Sequence, residues 1–156
     1  MIPKIKEFRE SLGIKQKDMA KMLNISKTTL SGWENGHDII PLRRLVYFSN
    51  YFKVSVDYLI GISKENKYVE LEINLERISK ILLKYRKDNN KTQEFVSKIL
   101  NISTGTYCDY EKGNHLISTT SLIALASIYK NFSLDYLLLK INKQASVWCL
   151  HFCCYI

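Results

Sequence analysis

Helix breakers are scarce in this chain, with two prolines and six glycines among 156 residues. Together with long segments of 3.6-residue periodicity, that scarcity argues for an all-α protein. Cysteine is almost missing until the end. Cys108 stands alone, and Cys149, Cys153 and Cys154 fall in the last eight residues. They frame no disulfide-stapled fold, so a reduced, cytoplasmic protein is the expectation. No run approaches the about 18 apolar residues of a membrane-spanning helix, and no membrane partner is expected. The opening residues, MIPKIKEFRE, carry charges where a signal peptide needs an apolar core. Acidic residues are outnumbered, 15 Asp/Glu against 23 Lys/Arg, for a net charge of +8. That balance favours a polyanionic partner, nucleic acid or an anionic surface, although excess lysine also serves solubility.

Signs of catalysis are missing too. No Ser/His/Asp or Cys/His constellation, Gly-rich phosphate loop or metal motif is visible, and His37, His115 and His151 fall in loops or the tail. No enzyme, cofactor or metal is expected. The length admits one ordinary domain or two small ones.

The chain is organised around Gln16 to Gly36, QKDMAKMLNISKTTLSGWENG. Met19, Ala20 and Leu23 share one face of a first helix. Asn24-Ile25-Ser26 breaks the pattern. Ser26 is an N-cap for a second helix from Lys27 to about Asn35, which Gly36 ends. Thr29, Leu30 and Trp33 cluster on its inner side, and Lys27, Thr28, Ser31 and Gly32 on its outer side. A small, polar outer face with a cation at its start fits the major groove of DNA.

At these residues the chain resembles the Cro and phage-repressor type of helix-turn-helix. The resemblance rests on Gln16 opening the first motif helix, small Ala20 at the crossing, Asn24-Ile25-Ser26 at the turn, and Trp33-Glu34-Asn35-Gly36 at the end. It implies a five-helix fold over about residues 4–61. It also implies that Gln16 contacts a phosphate or base, and that Arg9 pairs with Glu34 and reaches a phosphate. Lys27, Thr28 and Ser31 would reach base edges, while Asn35 would hold a phosphate.

The flanking residues agree. Ile5, Phe8 and Leu12 predict an amphipathic helix over 4–12, closed by Gly13. Pro41 opens a helix over 42–52 carrying Leu45, Phe48 and Phe52. Ser55 caps a short helix, VDYLI, ended by Gly61. Residues 62–73 form a linker. Its second half alternates apolar and polar, suggesting a short strand. Leu71, Leu75, Ile78 and Leu82 also fit a helical stripe, and the helix is the favoured of the two.

The chain then repeats itself. Between 16–36 and 93–113, nine of 21 positions are identical, among them Gln16/Gln93, Asn24/Asn101, Ser26/Ser103, Glu34/Glu111 and Gly36/Gly113. Arg9/Arg86 extends the match upstream. SVDYL matches SLDYL downstream at an offset of 78. Two tandem five-helix repressor-like domains follow, at 1–61 and 74–140. The second departs on its outer face, where Thr104, Gly105, Cys108 and Asp109 replace Lys27, Thr28, Ser31 and Gly32. A cation is gone and an acid has come. Gln93, Thr104, Asp109 and Arg86 are its DNA-contact candidates, and the first copy is expected to supply most of the affinity. Twelve linker residues, fully extended, reach about 40 Å, enough to span one DNA turn of about 34 Å.

Residues 141–156 match neither copy. Cys149, His151, Cys153 and Cys154 have no structural-zinc spacing, and four ligands within six residues cannot readily surround one ion. The apolar tail is a candidate surface for a protein partner. The leading reading is therefore a DNA-binding transcription regulator of bacterial or phage type, acting on double-stranded DNA and open to homodimerisation. The alternative is an interaction module such as an antitoxin component, since antitoxins use the same fold.

Overall fold

The computed structural model describes residues 4–141. The apolar tail considered above as a partner surface lies, from residue 142 on, outside the described residues. Among the described residues ten helices follow one another: α1 (Ile5–Ser11), α2 (Gln16–Met22), α3 (Lys27–Asn35), α4 (Leu42–Phe52), α5 (Val56–Leu59), α6 (Leu75–Asp88), α7 (Gln93–Leu100), α8 (Thr104–Lys112), α9 (Thr119–Ile128) and α10 (Leu134–Leu138). The architecture is all-α, with α1–α5 and α6–α10 repeating one design. Among the described residues the nearest thing to a sheet is an isolated antiparallel bridge between Leu71 and Leu139.

Local chemistry sets the turn between the two motif helices in both copies. Asn24 and Asn101 adopt left-handed backbone, at φ 51° and 54°, which asparagine tolerates better than most residues. The chain then curls back, so the amide of Ile25 donates to Ala20 O at 3.0 Å and that of Ile102 to Ser97 O at 3.0 Å. The next residue is the cap. Ser26 Oγ accepts from the Thr29 amide at 2.9 Å, and Ser103 Oγ from the Thr106 amide at 3.0 Å. Gly36 and Gly113 end α3 and α8 at φ 71° and 75°, where a side chain would be strained.

The apolar positions of both copies feed one continuous buried cluster. Ile5, Met19, Leu30, Leu45, Phe48 and Leu59 are buried in the first, and Leu82, Val96, Tyr107, Leu122, Leu125 and Leu134 in the second. Leu12 departs from the expected stripe: it is 47% exposed, because α1 ends at Ser11 and the chain turns away at Gly13. Ile14 packs against the core in its place.

The linker settles toward the extended alternative, against the helix favoured from the sequence. The Glu72 amide donates to Leu138 O at 2.8 Å, and the Lys140 amide to Glu70 O at 2.9 Å. Asn50 on α4 clasps the same stretch, its Nδ2 donating to Leu71 O at 2.8 Å and its Oδ1 accepting from the Leu71 amide at 3.0 Å. Helix begins only at Leu75, where Asn74 Oδ1 accepts from the Arg77 amide at 3.0 Å. A side-chain amide thus holds Leu71 extended before the helical stripe can claim it.

The second core buries two phenols where the first has Leu30 and Phe52. The Tyr107 and Tyr129 hydroxyls are buried close to one another and to Glu111, yet neither meets a partner in hydrogen-bond geometry, and burial pushes both groups above their ordinary titration range. Removing a buried, unsatisfied hydroxyl while keeping the ring restores no lost bond and removes a desolvation cost. Tyr107→Phe is therefore expected to leave stability unchanged or to raise it by up to about 1 kcal/mol, read as a shift in the urea midpoint at constant slope.

Candidate nucleic-acid interface

A buried ion pair fixes α3 against the rest of the first copy. Arg9 Nε donates to Glu34 Oε1 at 2.6 Å and Arg9 Nη2 to Glu34 Oε2 at 3.1 Å. The side chains are 10% and 2% exposed. Arg9 Nη1 donates to Ile14 O at 2.9 Å, and Nη2 also approaches Glu10 at 3.4 Å. Gln16 Nε2 completes the cluster, donating to Glu34 Oε2 at 3.0 Å. Hydrogen bonding to Glu34 holds the Arg9 guanidinium above its ordinary value. One carboxylate thereby ties α1, the α1–α2 loop, the start of α2 and the end of α3.

The second copy repeats the cluster apart from the Glu10 contact, where Lys87 stands instead. Arg86 Nε and Nη2 donate to Glu111 at 2.6 and 2.9 Å, Arg86 Nη1 to Lys91 O at 3.0 Å, and Gln93 Nε2 to Glu111 at 2.7 Å. Burial would push the Glu111 carboxyl up. Hydrogen bonds from Arg86 and Gln93, with the charge of Arg86, win and hold it below the usual range. This geometry accounts for three of the identities between the copies. It also gives Arg9, Gln16, Arg86 and Gln93 a positioning part inside the fold, in addition to the DNA contacts the resemblance implies.

With α3 so held, its outer residues face solvent at their base. Lys27, Thr28 and Asn35 are exposed and Ser31 is half-buried. Asn35 Nδ2 folds back along the helix to Ser31 O at 2.9 Å and Ser31 Oγ at 3.2 Å. Ser31 and Asn35 therefore form one polar unit. Gly32, counted on the outer face from the helical wheel, is covered. The Asp38 side chain from the following loop lies where a Cβ of residue 32 would stand.

That covering changes the comparison of the two faces. Asp109 is the counterpart of Gly32, and its Oδ1 accepts from Asn114 Nδ2 at 2.9 Å. In both copies a carboxylate therefore sits at this place on the second motif helix. The loop supplies it in the first copy and the helix itself in the second. The acid on the second face is not an added charge. The lost cation remains a real difference: Thr104 stands for Lys27, and its Oγ1 lies 3.1 Å from Ser97 Oγ. Gly105 is exposed, and Cys108 and Asp109 are half-buried. Sequence reasoning missed Asp38. The signal was the exchange of the acid between aligned columns, Gly32 and Asp38 against Asp109 and His115.

Among the described residues no group of three or more His, Cys, Asp or Glu side chains converges to hold a metal ion. No helix among them is long and apolar enough to cross a membrane.

A family model described as helix-turn-helix matches the chain twice, over residues 5–59 and 82–137. The HTH-type transcriptional regulator ImmR of Bacillus subtilis (strain 168) is 37% identical over 67 residues, 41% of this chain and 53% of that protein. The chain thus spans about half the length of this curated relative. No solved structure matches it.

Proposed function

Since the chain belongs to the Cro/C1-type helix-turn-helix family, we propose that it is a sequence-specific DNA-binding transcription regulator of bacterial or phage type, with α3 in the major groove. The observation that carries this reading is the Arg9–Glu34–Gln16 cluster, which fixes α3 while Lys27 and Thr28 stay exposed and Ser31 half-exposed. A helix held this rigidly presents donors in one geometry, as base reading requires.

Lys27, at the start of α3, donates to a guanine edge, and Thr28 and the Ser31–Asn35 unit contact neighbouring base or phosphate oxygens. Gln16 keeps its amide nitrogen on Glu34 and offers its carbonyl end. Arg9 acts mainly by holding Glu34, because its guanidinium is buried. The working units are residues 1–61 and 74–140, joined by 62–73. The activity is binding, not catalysis, and it belongs in the cytoplasm, where the DNA is.

The test is retention of genomic fragments by the full chain in excess non-specific competitor at a stated salt concentration. A few fragments should survive competition while the bulk is lost. Uniform loss of all fragments would leave only charge-driven binding.

A further inference from the structure

The two copies are interlocked by a reciprocal pair of aspartates. Asp57, near the start of α5, accepts from Ser133 Oγ at 2.6 Å and from the Leu134 amide at 2.7 Å, at the start of α10. Asp135, its counterpart on α10, accepts from the Ser55 hydroxyl, from the Val56 amide at 2.9 Å and from the Asp57 amide at 3.3 Å. Each aspartate so caps the other copy's last helix, and residue i meets residue j as j meets i. That reciprocity is the signature of a two-fold interface between identical subunits. Here one chain contains both halves.

A second juxtaposition obeys the same symmetry. Residues 39–43 and 116–120 line one cleft, and these ranges correspond at the 77-residue offset of the repeat. They run from the loops after α3 and α8 into the first turns of α4 and α9. A two-fold axis therefore passes between the loops that end the two recognition helices. Rotation about an axis preserves direction along it, so α3 and α8 face the same way along that axis. The linker does not swing freely between the copies. Asn50 and the Leu71–Leu139 bridge hold it down.

Resting on the reading of α3 as a base-reading helix, we infer that a single chain is its own dimer and covers two adjacent DNA half-sites of unequal sequence. The unequal halves follow from the faces. Lys27, Thr28 and Ser31 stand on one, and Thr104, Gly105, Cys108 and Asp109 on the other. No second chain is needed, because the interlock supplies the second helix at high effective concentration.

The experiment uses the full chain and the duplex it enriches from a random pool. Native mass measurement and hydroxyl-radical footprinting should give one chain per duplex, with two protected patches on one DNA face, about one helical turn apart. The two patches should differ in sequence. Two chains on a palindrome, or one patch alone, would overturn the inference while leaving α3 as a reader of bases. Failure to enrich any sequence would remove both the reading and the inference. The variant Asp57→Ala/Asp135→Ala loses the reciprocal caps, and neither residue lies on a recognition face. The wild type should bind the full site at least ten-fold more tightly than a duplex carrying one half-site. The variant should keep half-site binding and lose most of that advantage. An unchanged advantage in the variant would contradict the interlock. The wild-type stoichiometry and footprint decide the matter whether or not the variant folds.

Discussion

Glu34→Ala is expected to destabilise the protein by about 3–5 kcal/mol, the range for stranding one partner of a buried ion pair. Removing the carboxylate leaves the Arg9 guanidinium buried with only Ile14 O and the distant Glu10 to accept from it. It also releases Gln16 Nε2. Arg9→Ala should be costly for the complementary reason. The double variant should cost clearly less than the two singles together, because each single already forfeits the shared contact. Additive losses in urea unfolding would show that the pair does not act as one unit. The Arg86–Glu111 cluster should behave alike, with a pH dependence of known sign. The folded Glu111 carboxyl titrates below its unfolded value. Its stabilising share is therefore full above the unfolded value and fades as pH falls through the lower, folded one. Glu111→Gln should flatten the acid limb of the stability curve in that window.

Lys27→Ala is expected to cost about 1–3 kcal/mol of binding to the selected site and to relax preference at one base position. The fold should be untouched, since Lys27 is exposed and no core contact depends on it. An equal loss on all sequences would reassign Lys27 to a phosphate, and would also lower the salt dependence of binding. Binding that does not change would take the start of α3 out of the interface. The contrast with Glu34 is informative. Glu34 acts on binding only through the placement of α3, so its variant should lose stability and affinity together. The Lys27 variant should lose affinity alone.

The motif itself was legible because its determinants are local. Ser26, Gly36 and the helical spacing of Met19, Ala20 and Leu23 set α2 and α3 within a few residues of one another, and the bounds of α3 and α4 fall where the sequence places them. The Arg9–Glu34 pair was legible only through the resemblance, since 25 residues separate its members. What the sequence hid was non-local. Gly32 reads as part of the outer face until Asp38 folds over it. Leu71 fits a helical stripe until Asn50, 21 residues earlier, holds it extended. Asp57 and Asp135 were visible as a repeated SxDYL pattern. An aspartate in the first turn also suits its own helix dipole, so nothing in the sequence said that each serves the other copy. Separating the copies into fragments would break that interlock. The full chain is the proper subject for every binding test.

The most direct test of the account is selection of bound duplexes from a random pool by the full chain at fixed salt. Base reading by α3 predicts enrichment of a defined sequence, with one position of that sequence losing its preference when Lys27 is replaced by alanine. A pool that stays random through repeated selection, with binding that merely tracks salt, would contradict it.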